Sequence, residues 1–297
     1  MKMYEVGGCV RDEILGVPSK DIDYTVVLDE TENNFAFVNP FDHMVRELKR
    51  MGFKIFLESP EYLTVRAQFP RRKVHAAGHS LNSDRVGMTA DFVLARKESG
   101  YADGRRPDVV EPGTLGDDLA RRDFTMNAIA KAADGSYIDP FHGRSDIEHR
   151  IIRAVGDPME RLREDALRAV RALRFSVTKG FKIDAALADA MRSKEVMDAL
   201  KNNISDERIK DELSKMFRFD TLASIDILGS HYRGLTEAVF SGTVSLDATM
   251  KTKGRGTESK RKEGPGQPLP VAHNGCKCRC HVEKGVKHMG ACCRERV

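Results

Sequence analysis

The chain has 297 residues, 40% of them hydrophobic, enough for one large or two modest cores, and no apolar run approaches the length of a membrane span or a secretory leader. A cytoplasmic protein with no membrane partner is therefore expected, and small secreted disulfide scaffolds are excluded. The formal charge of +4 is unevenly spread: residues 251–297 hold 12 Lys/Arg against 4 Asp/Glu, a net +8, which leaves −4 for residues 1–250.

Gly7 and Gly8 stand just ahead of CVRDEILG, a short helical run closed by Gly16. Their unhindered N–H groups and the start of a helix could face phosphate oxygens, with Arg11 adding a rigid cationic fork. In DIDYTVVL, Ile22, Tyr24, Val26 and Val27 predict a strand, on which Asp21 and Asp23, two positions apart, project side by side. Paired like charges repel unless a cation sits between them, so the pair points to one or two Mg²⁺ ions of the kind that clamp triphosphates. Solvated aspartates on an edge strand are the plainer alternative.

FDHMVRELKRMGF then reads as a helix, and FKIFLE, LTVRAQF, DFVLAR and AIAKAA as short strands, so residues 1–140 are expected to form a mixed α/β domain around one sheet. Asp91, which opens DFVLAR, is either a third carboxylate beside the metal pair or a strand cap. In RRDFTMNA, Arg122, Asp123 and Asn127 combine a phosphate or ribose anchor, a hydrogen-bond acceptor and an amide. As structure alone, Asp123 would cap a helix and Asn127 would be solvated.

From residue 141 to about 240 the apolar spacing is helical. RLREDALRAVRALRFSV sets Leu167, Val170, Leu173 and Phe175 among arginines, and DAALADAMRSKEVMDAL, SDERIKDELSKMF and LASIDILG repeat apolar intervals of three and four. On such a helix Asp165 and Arg168 share a face; an isolated pair of this kind would be an ordinary ion pair in solvent. KTKGRGTESKRKEGPGQPLP is nearly free of apolar residues and reads as a solvated linker. Beyond it Cys276, Cys278, Cys280, Cys292 and Cys293 cluster, which argues for metal or thiol chemistry and against a disulfide framework. With His281 or His288 they could complete a tetrahedral Zn²⁺ site, although C-x-C spacing is tighter than the usual knuckle; a disordered basic tail is the alternative. There is no internal repeat.

Taken in order, Gly7-Gly8-Cys9-Val10-Arg11-Asp12, Asp21-Ile22-Asp23, DFVLARKESGY (91–101), GTLGDDLARRDFTMNAIA (113–130), YIDPFHGRSDI (137–147) and RLREDALRAVRALRF (161–175) resemble the motifs of the class II nucleotidyltransferases. These are the bacterial-type tRNA CCA-adding enzymes and poly(A) polymerases of the polymerase-beta superfamily. The resemblance covers about residues 3–235. It implies an α+β chain: a polymerase-beta-like head with a mixed sheet over residues 1–140, a helical neck and shortened body over 141–248, and a basic Cys-rich tail over 249–297.

The resemblance also implies a reaction. An RNA 3′-hydroxyl would attack the α-phosphate of CTP or ATP, in CCA addition or repair on tRNA 3′ ends. An A-adding enzyme, a poly(A) polymerase and a non-catalytic RNA-binding relative are the alternatives. In this reading Asp21 and Asp23 hold two Mg²⁺ ions, Gly7, Gly8 and Arg11 cradle phosphates, and Arg122, Asp123 and Asn127 place the ribose. Arg171 and Arg174 continue a basic face toward triphosphate or RNA, and Asp165 with Arg168 selects the base. A carboxylate accepting from an exocyclic amine and a guanidinium donating to a ring nitrogen admit cytosine and adenine. Guanine and uracil would meet the pair like against like, at about 1–3 kcal/mol for each buried group left unpaired. The match ends near residue 240, where the family continues into tRNA-gripping helices and this chain has its basic tail.

Overall fold

Strand-favouring runs and one amphipathic helix build the first half of the molecule. The computed structural model describes residues 1–19, 21–28, 39–71, 75–76, 79–80, 85–101 and 107–240. β1 (Lys2–Val6) leads through Gly7 into α1 (Gly8–Ile14), and β2 (Asp23–Val27) returns antiparallel to β1. α2 (Pro40–Arg50) starts at Asn39, whose side chain accepts the Phe41 N–H at 2.8 Å and so caps the helix. There follow β3 (Lys54–Ser59), β4 (Thr64–Gln68), the two-residue strands β5 (His75–Ala76) and β6 (His79–Ser80), and β7 (Thr89–Leu94). β8 (Arg96–Ser99), β9 (Val109–Pro112), α3 (Leu115–Ala120), β10 (Ala130–Lys131) and β11 (Tyr137–Ile138) complete this half.

Seven of these strands form one mixed sheet in the order β11-β10-β1-β2-β7-β4-β3, and its one parallel pair is β2 with β7. Residue alternation along β2 sends Tyr24 and Val26 to one face and Asp23 and Thr25 to the other. On the first face Tyr24 stacks on Phe92 at 5.2 Å between ring centroids, with Phe53 and Phe69 beside them. Phe41, Met44, Val45 and Leu48, spaced three and four apart on α2, are buried in the same core. The other face of β2 carries the polar groups of the site.

The second half is helical, as the apolar spacing predicts: α4 (Gly143–Glu148), α5 (Pro158–Glu164), α6 (Leu167–Lys179), α7 (Ala185–Met191), α8 (Lys194–Asn202), α9 (Asp206–Phe219), α10 (Thr221–Asp226) and α11 (Arg233–Val239). Two features depart from that expectation. The short strands β12 (Ile151–Ile152) and β13 (Lys182–Ile183) pair in parallel within the helical half. The run RLREDALRAVRALRF is two helices, broken at Asp165, which has extended backbone angles of φ −154 and ψ 102. The Asp165 carboxylate accepts the Leu167 N–H at 3.1 Å, a short-range side-chain bond that competes with helix continuation and starts α6 afresh.

No described helix is long and apolar enough to cross a membrane. The candidate zinc ligands Cys276, Cys278, Cys280, His281, His288, Cys292 and Cys293 lie, with the whole basic tail, outside the described residues.

Candidate active site

Where β1 ends, Gly7 adopts φ +77, and a Cβ there would lie 2.8 Å from Arg122 Nη1 and 3.9 Å from Asp23 Oδ2. Glycine is thus required twice, by backbone conformation and by the closeness of Arg122. The sheet register places the carboxylates. Asp23 on β2 is the partner of Asp91 on β7, and Asp91 is the partner of Arg66 on β4, so the three stand in a row across adjacent strands. Asp21, two residues ahead of Asp23, is exposed at the same rim, and both aspartates line two cavities that share them.

The first cavity, about 330 Å³, brings Gly7, Gly8, Arg11, Arg122, Asp123, Asn127, Arg171 and Arg174 together with the two aspartates. A chain of hydrogen bonds crosses it. Arg11 Nη1 donates to Asn127 Oδ1 at 2.6 Å, and Asn127 Nδ2 donates to Asp123 Oδ1 at 2.9 Å. Arg171, from α6, donates to Asp123 Oδ2 from Nη2 at 2.6 Å and from Nε at 3.0 Å. Its Nη1 reaches Glu212 on α9 at 3.2 Å, and Glu212 also takes Arg174. Asn127 is therefore buried and bonded, not solvated. Arg11, paired also with Asp12 at 2.9 Å, is itself buried and braces Asn127 as well as lining the cavity. The Phe175 ring lies 3.9 Å from the Arg174 guanidinium and 5.0 Å from that of Arg11, cation–π contacts of which the second holds α1 against α6.

Beneath the rim, the Thr25 hydroxyl and the guanidinium groups of Arg121 and Arg122 converge on the buried Asp118, at 2.7 Å from Thr25 and 3.0 Å from Arg122. Arg122 is thus anchored from below while its buried Nε makes no hydrogen bond among the described residues. Burial pushes the Asp23 carboxyl above its ordinary value; Arg122 opposes this, and the charges of Asp91 and Asp21 add to it. At Asp123 burial acts in the same direction but is outweighed by the Arg171 guanidinium and the Asn127 amide, which hold its carboxyl at about 2.

The donor set suits a hard divalent cation that is completed by a substrate. Asp21 and Asp23 offer carboxylate oxygens at one rim, and among the described residues the Asp23 side chain forms no ion pair or hydrogen bond. No three His, Cys, Asp or Glu side chains among the described residues are gathered into a ready-made metal cage. Mg²⁺ is characteristically held in this way, by one or two carboxylates together with substrate phosphates. Asp91 lines the second cavity with Asp21 and Asp23, and its two oxygens accept a fork from Arg66, from Nε at 2.7 Å and Nη2 at 2.6 Å.

Asp165 and Arg168 are not among the residues lining the cavity, nor do they share a helical face. Asp165 receives Arg208 of α9 at 2.6 Å, and Arg168, on α6, pairs with Glu164 and donates to the carbonyls of Arg161 and Arg121 at 2.9 and 3.0 Å. Both members of the expected base-reading pair are thus held by partners within the chain.

Sequence reading missed Glu212, Asp118 and Arg66. Glu212 carried a usable signal, since it stands in the buried stripe Ile209, Leu213 and Met216 of α9, where a carboxylate needs a cationic partner. Asp118 sits beside the conspicuous Arg121 and Arg122, but nothing local marks it as the buried one of two adjacent aspartates. Arg66 acquires its meaning only from the register of β4 on β7.

Residues 3–153 match the family described as the poly A polymerase head domain. A CCA-adding enzyme from Pediococcus pentosaceus is 39% identical over 212 residues, which are 71% of this chain and 45% of that protein. The Bacillus stearothermophilus CCA-adding enzyme, solved in complex with CTP, superposes with a TM-score of 0.55 at 30% identity, over 78% of this chain and 48% of that one. A tRNA nucleotidyltransferase complexed with a primer tRNA and an incoming ATP analog superposes with a TM-score of 0.60 at 26% identity, over 81% of this chain and 60% of that one. The chain spans about half the length of the curated relatives it matches.

Proposed function

Because the chain belongs to the poly A polymerase head-domain family, we propose that it is a cytoplasmic nucleotidyltransferase that adds C and A from CTP and ATP to tRNA 3′ ends, releasing pyrophosphate. The observation that carries this reading is the meeting, in one cavity, of the Asp21–Asp23 rim with the Arg11–Asn127–Asp123–Arg171 chain. The names of the similar proteins, with CTP or with tRNA and an ATP analog bound, agree with it. Residues 1–140 would act as the catalytic head, 141–248 as neck and body, and the +8 of residues 251–297 would draw an RNA backbone.

In this mechanism Asp21 and Asp23 would hold two Mg²⁺ ions, which would supply acidity to the attacking 3′-hydroxyl and positive charge to the triphosphate. The chain's own groups then set the geometry. Gly7 and Gly8 let the triphosphate approach the backbone without a side chain in the way, and Arg11 stands beside them. Arg122, propped on Asp118, would meet the sugar and phosphates from the cavity wall, while Asp123, ionised at any physiological pH, fixes Asn127 and Arg171 on the ribose side. Asp165 and Arg168 would read the base once the nucleotide has displaced Arg208 from the carboxylate.

The test is incubation of the purified chain with tRNA ending at the discriminator base, Mg²⁺ and each labelled nucleotide in turn. Incorporation of C followed by A is the expected result, and it should vanish in Asp21→Asn and Asp23→Asn. Incorporation of A alone would replace the reading with A addition. RNA binding with no incorporation would make the chain a binding relative.

A further inference from the structure

The row Asp23–Asp91–Arg66 runs across three neighbouring strands, and its last two members form a fork of two short hydrogen bonds. Asp21, Asp23, Asp91 and Arg66 together line a second cavity, about 300 Å³. Three carboxylates at one rim would repel one another, and the Arg66 guanidinium supplies the cation that offsets this. We propose that Arg66 is a positioning residue that latches Asp91 away from the metal site, and that divalent cation captures Asp91 as a further ligand only by displacing Arg66. This rests on the reading of Asp21 and Asp23 as metal ligands.

Three observations carry the proposal. The Asp91 carboxylate is the register partner of the Asp23 carboxylate, so it is one strand spacing, roughly 4.8 Å, from the pair it would join. Both of its oxygens accept from Arg66, so a cation that takes up Asp91 competes with two charge-assisted hydrogen bonds and with the positive charge of the guanidinium. The Arg66 side chain is 56% exposed and the Asp91 side chain 27%, so the fork is bathed by solvent and opens at small cost. An exposed guanidinium released from Asp91 returns to water, and the freed carboxylate gains the cation. The latch therefore sets the metal concentration at which the site becomes fully liganded, without altering the two aspartates that define it.

Mn²⁺ binding to the full chain, followed by the electron paramagnetic resonance of free Mn²⁺, tests this without any turnover. Wild type should bind Mn²⁺ in a manner lost in Asp23→Asn. Arg66→Gln should bind about tenfold more tightly, at the low end of what partners of a metal ligand change. Arg66→Lys, which keeps the charge and loses the fork, should fall between them. In Arg66→Gln/Asp91→Asn the gain should disappear. An equal gain in the double variant would show that Arg66 acts by its charge alone and would overturn the latch. An Arg66→Gln affinity equal to wild type would also overturn it, while leaving the two-aspartate site standing. Absence of any Asp23-dependent Mn²⁺ binding in wild type would remove the metal site and the latch together. Each variant is checked for an unchanged circular dichroism spectrum before titration.

Discussion

Arg171 places Nη2 2.6 Å and Nε 3.0 Å from the same oxygen of Asp123, so the helix α6 is tied to the wall of the cavity by a charge-assisted pair. Asp123 is 10% exposed, and its other oxygen is shared between the Asn127 amide and the Phe124 N–H. The pair is at once part of the site and a clamp between the two halves of the molecule.

The clamp predicts an acid-sensitive stability. The Asp123 carboxyl, ordinarily near 3.8, lies at about 2 in the folded chain. A depressed folded value gives stability that is complete above the unfolded value and is lost as pH falls from 3.8 through about 2. The total is about 2 kcal/mol, with about half gone by pH 3. Urea unfolding between pH 5 and pH 3 should therefore show a steeper loss for wild type than for Asp123→Asn, and parallel profiles would contradict the assignment.

Glu212 holds two cations, Arg171 and Arg174, with only 6% of its side chain exposed. Glu212→Gln keeps the shape but leaves both guanidinium groups short of their counter-ion. Breaking a buried ion pair from one side costs about 3 kcal/mol. The expected outcome is a destabilisation of that size in urea, together with weaker nucleotide binding. A loss below about 0.5 kcal/mol would class the contact with exposed, marginal pairs.

Asp165 and Arg168 give a prediction about choice and not about rate. Asp165→Ala or Arg168→Ala should lower the preference for CTP and ATP over UTP and GTP by about tenfold or more, the value of one unpaired buried polar group. Arg208→Ala, which frees Asp165 without removing it, should keep the preference and lower the nucleotide KM. If the four nucleotides keep their ratio in Asp165→Ala, the base is read elsewhere.

The tail makes a prediction from charge alone. Deleting residues 251–297 removes a net +8. RNA affinity should weaken for every sequence, and the slope of log affinity on log salt should flatten by about 1 for each phosphate no longer neutralised. Nucleotide KM should hardly move. An unchanged salt slope would show that RNA is held by residues 1–250.

The strands and helices of this fold were legible because their apolar residues repeat at two and at three to four, and the Asp21–Asp23 pair was legible because alternation on one strand is local. The link between Asp91 and Arg66 was not, since it depends on which strand lies beside β7. The break at Asp165 escaped for a related reason: Asp-Ala-Leu-Arg is compatible with a helix, and the Asp165 carboxylate is instead engaged by the Leu167 N–H and by Arg208 from α9. Asn127 looked solvated in isolation and is buried because Arg11, far earlier in the chain, needs its oxygen.

The parallel pairing of β2 with β7 also bears on how the molecule is made. Parallel neighbours cannot be closed by a hairpin, and here α2, β3 and β4 must all be laid down before Asp91 arrives beside Asp23. Such distant pairing incurs its loop-closure entropy before any native interaction offsets it, so it belongs to the slow end of folding. A nascent chain that has emerged only through β4 already carries Asp23 and Arg66, yet lacks the strand that stands between them in the row. Any joint action of these side chains is thereby confined to chains whose sheet has closed.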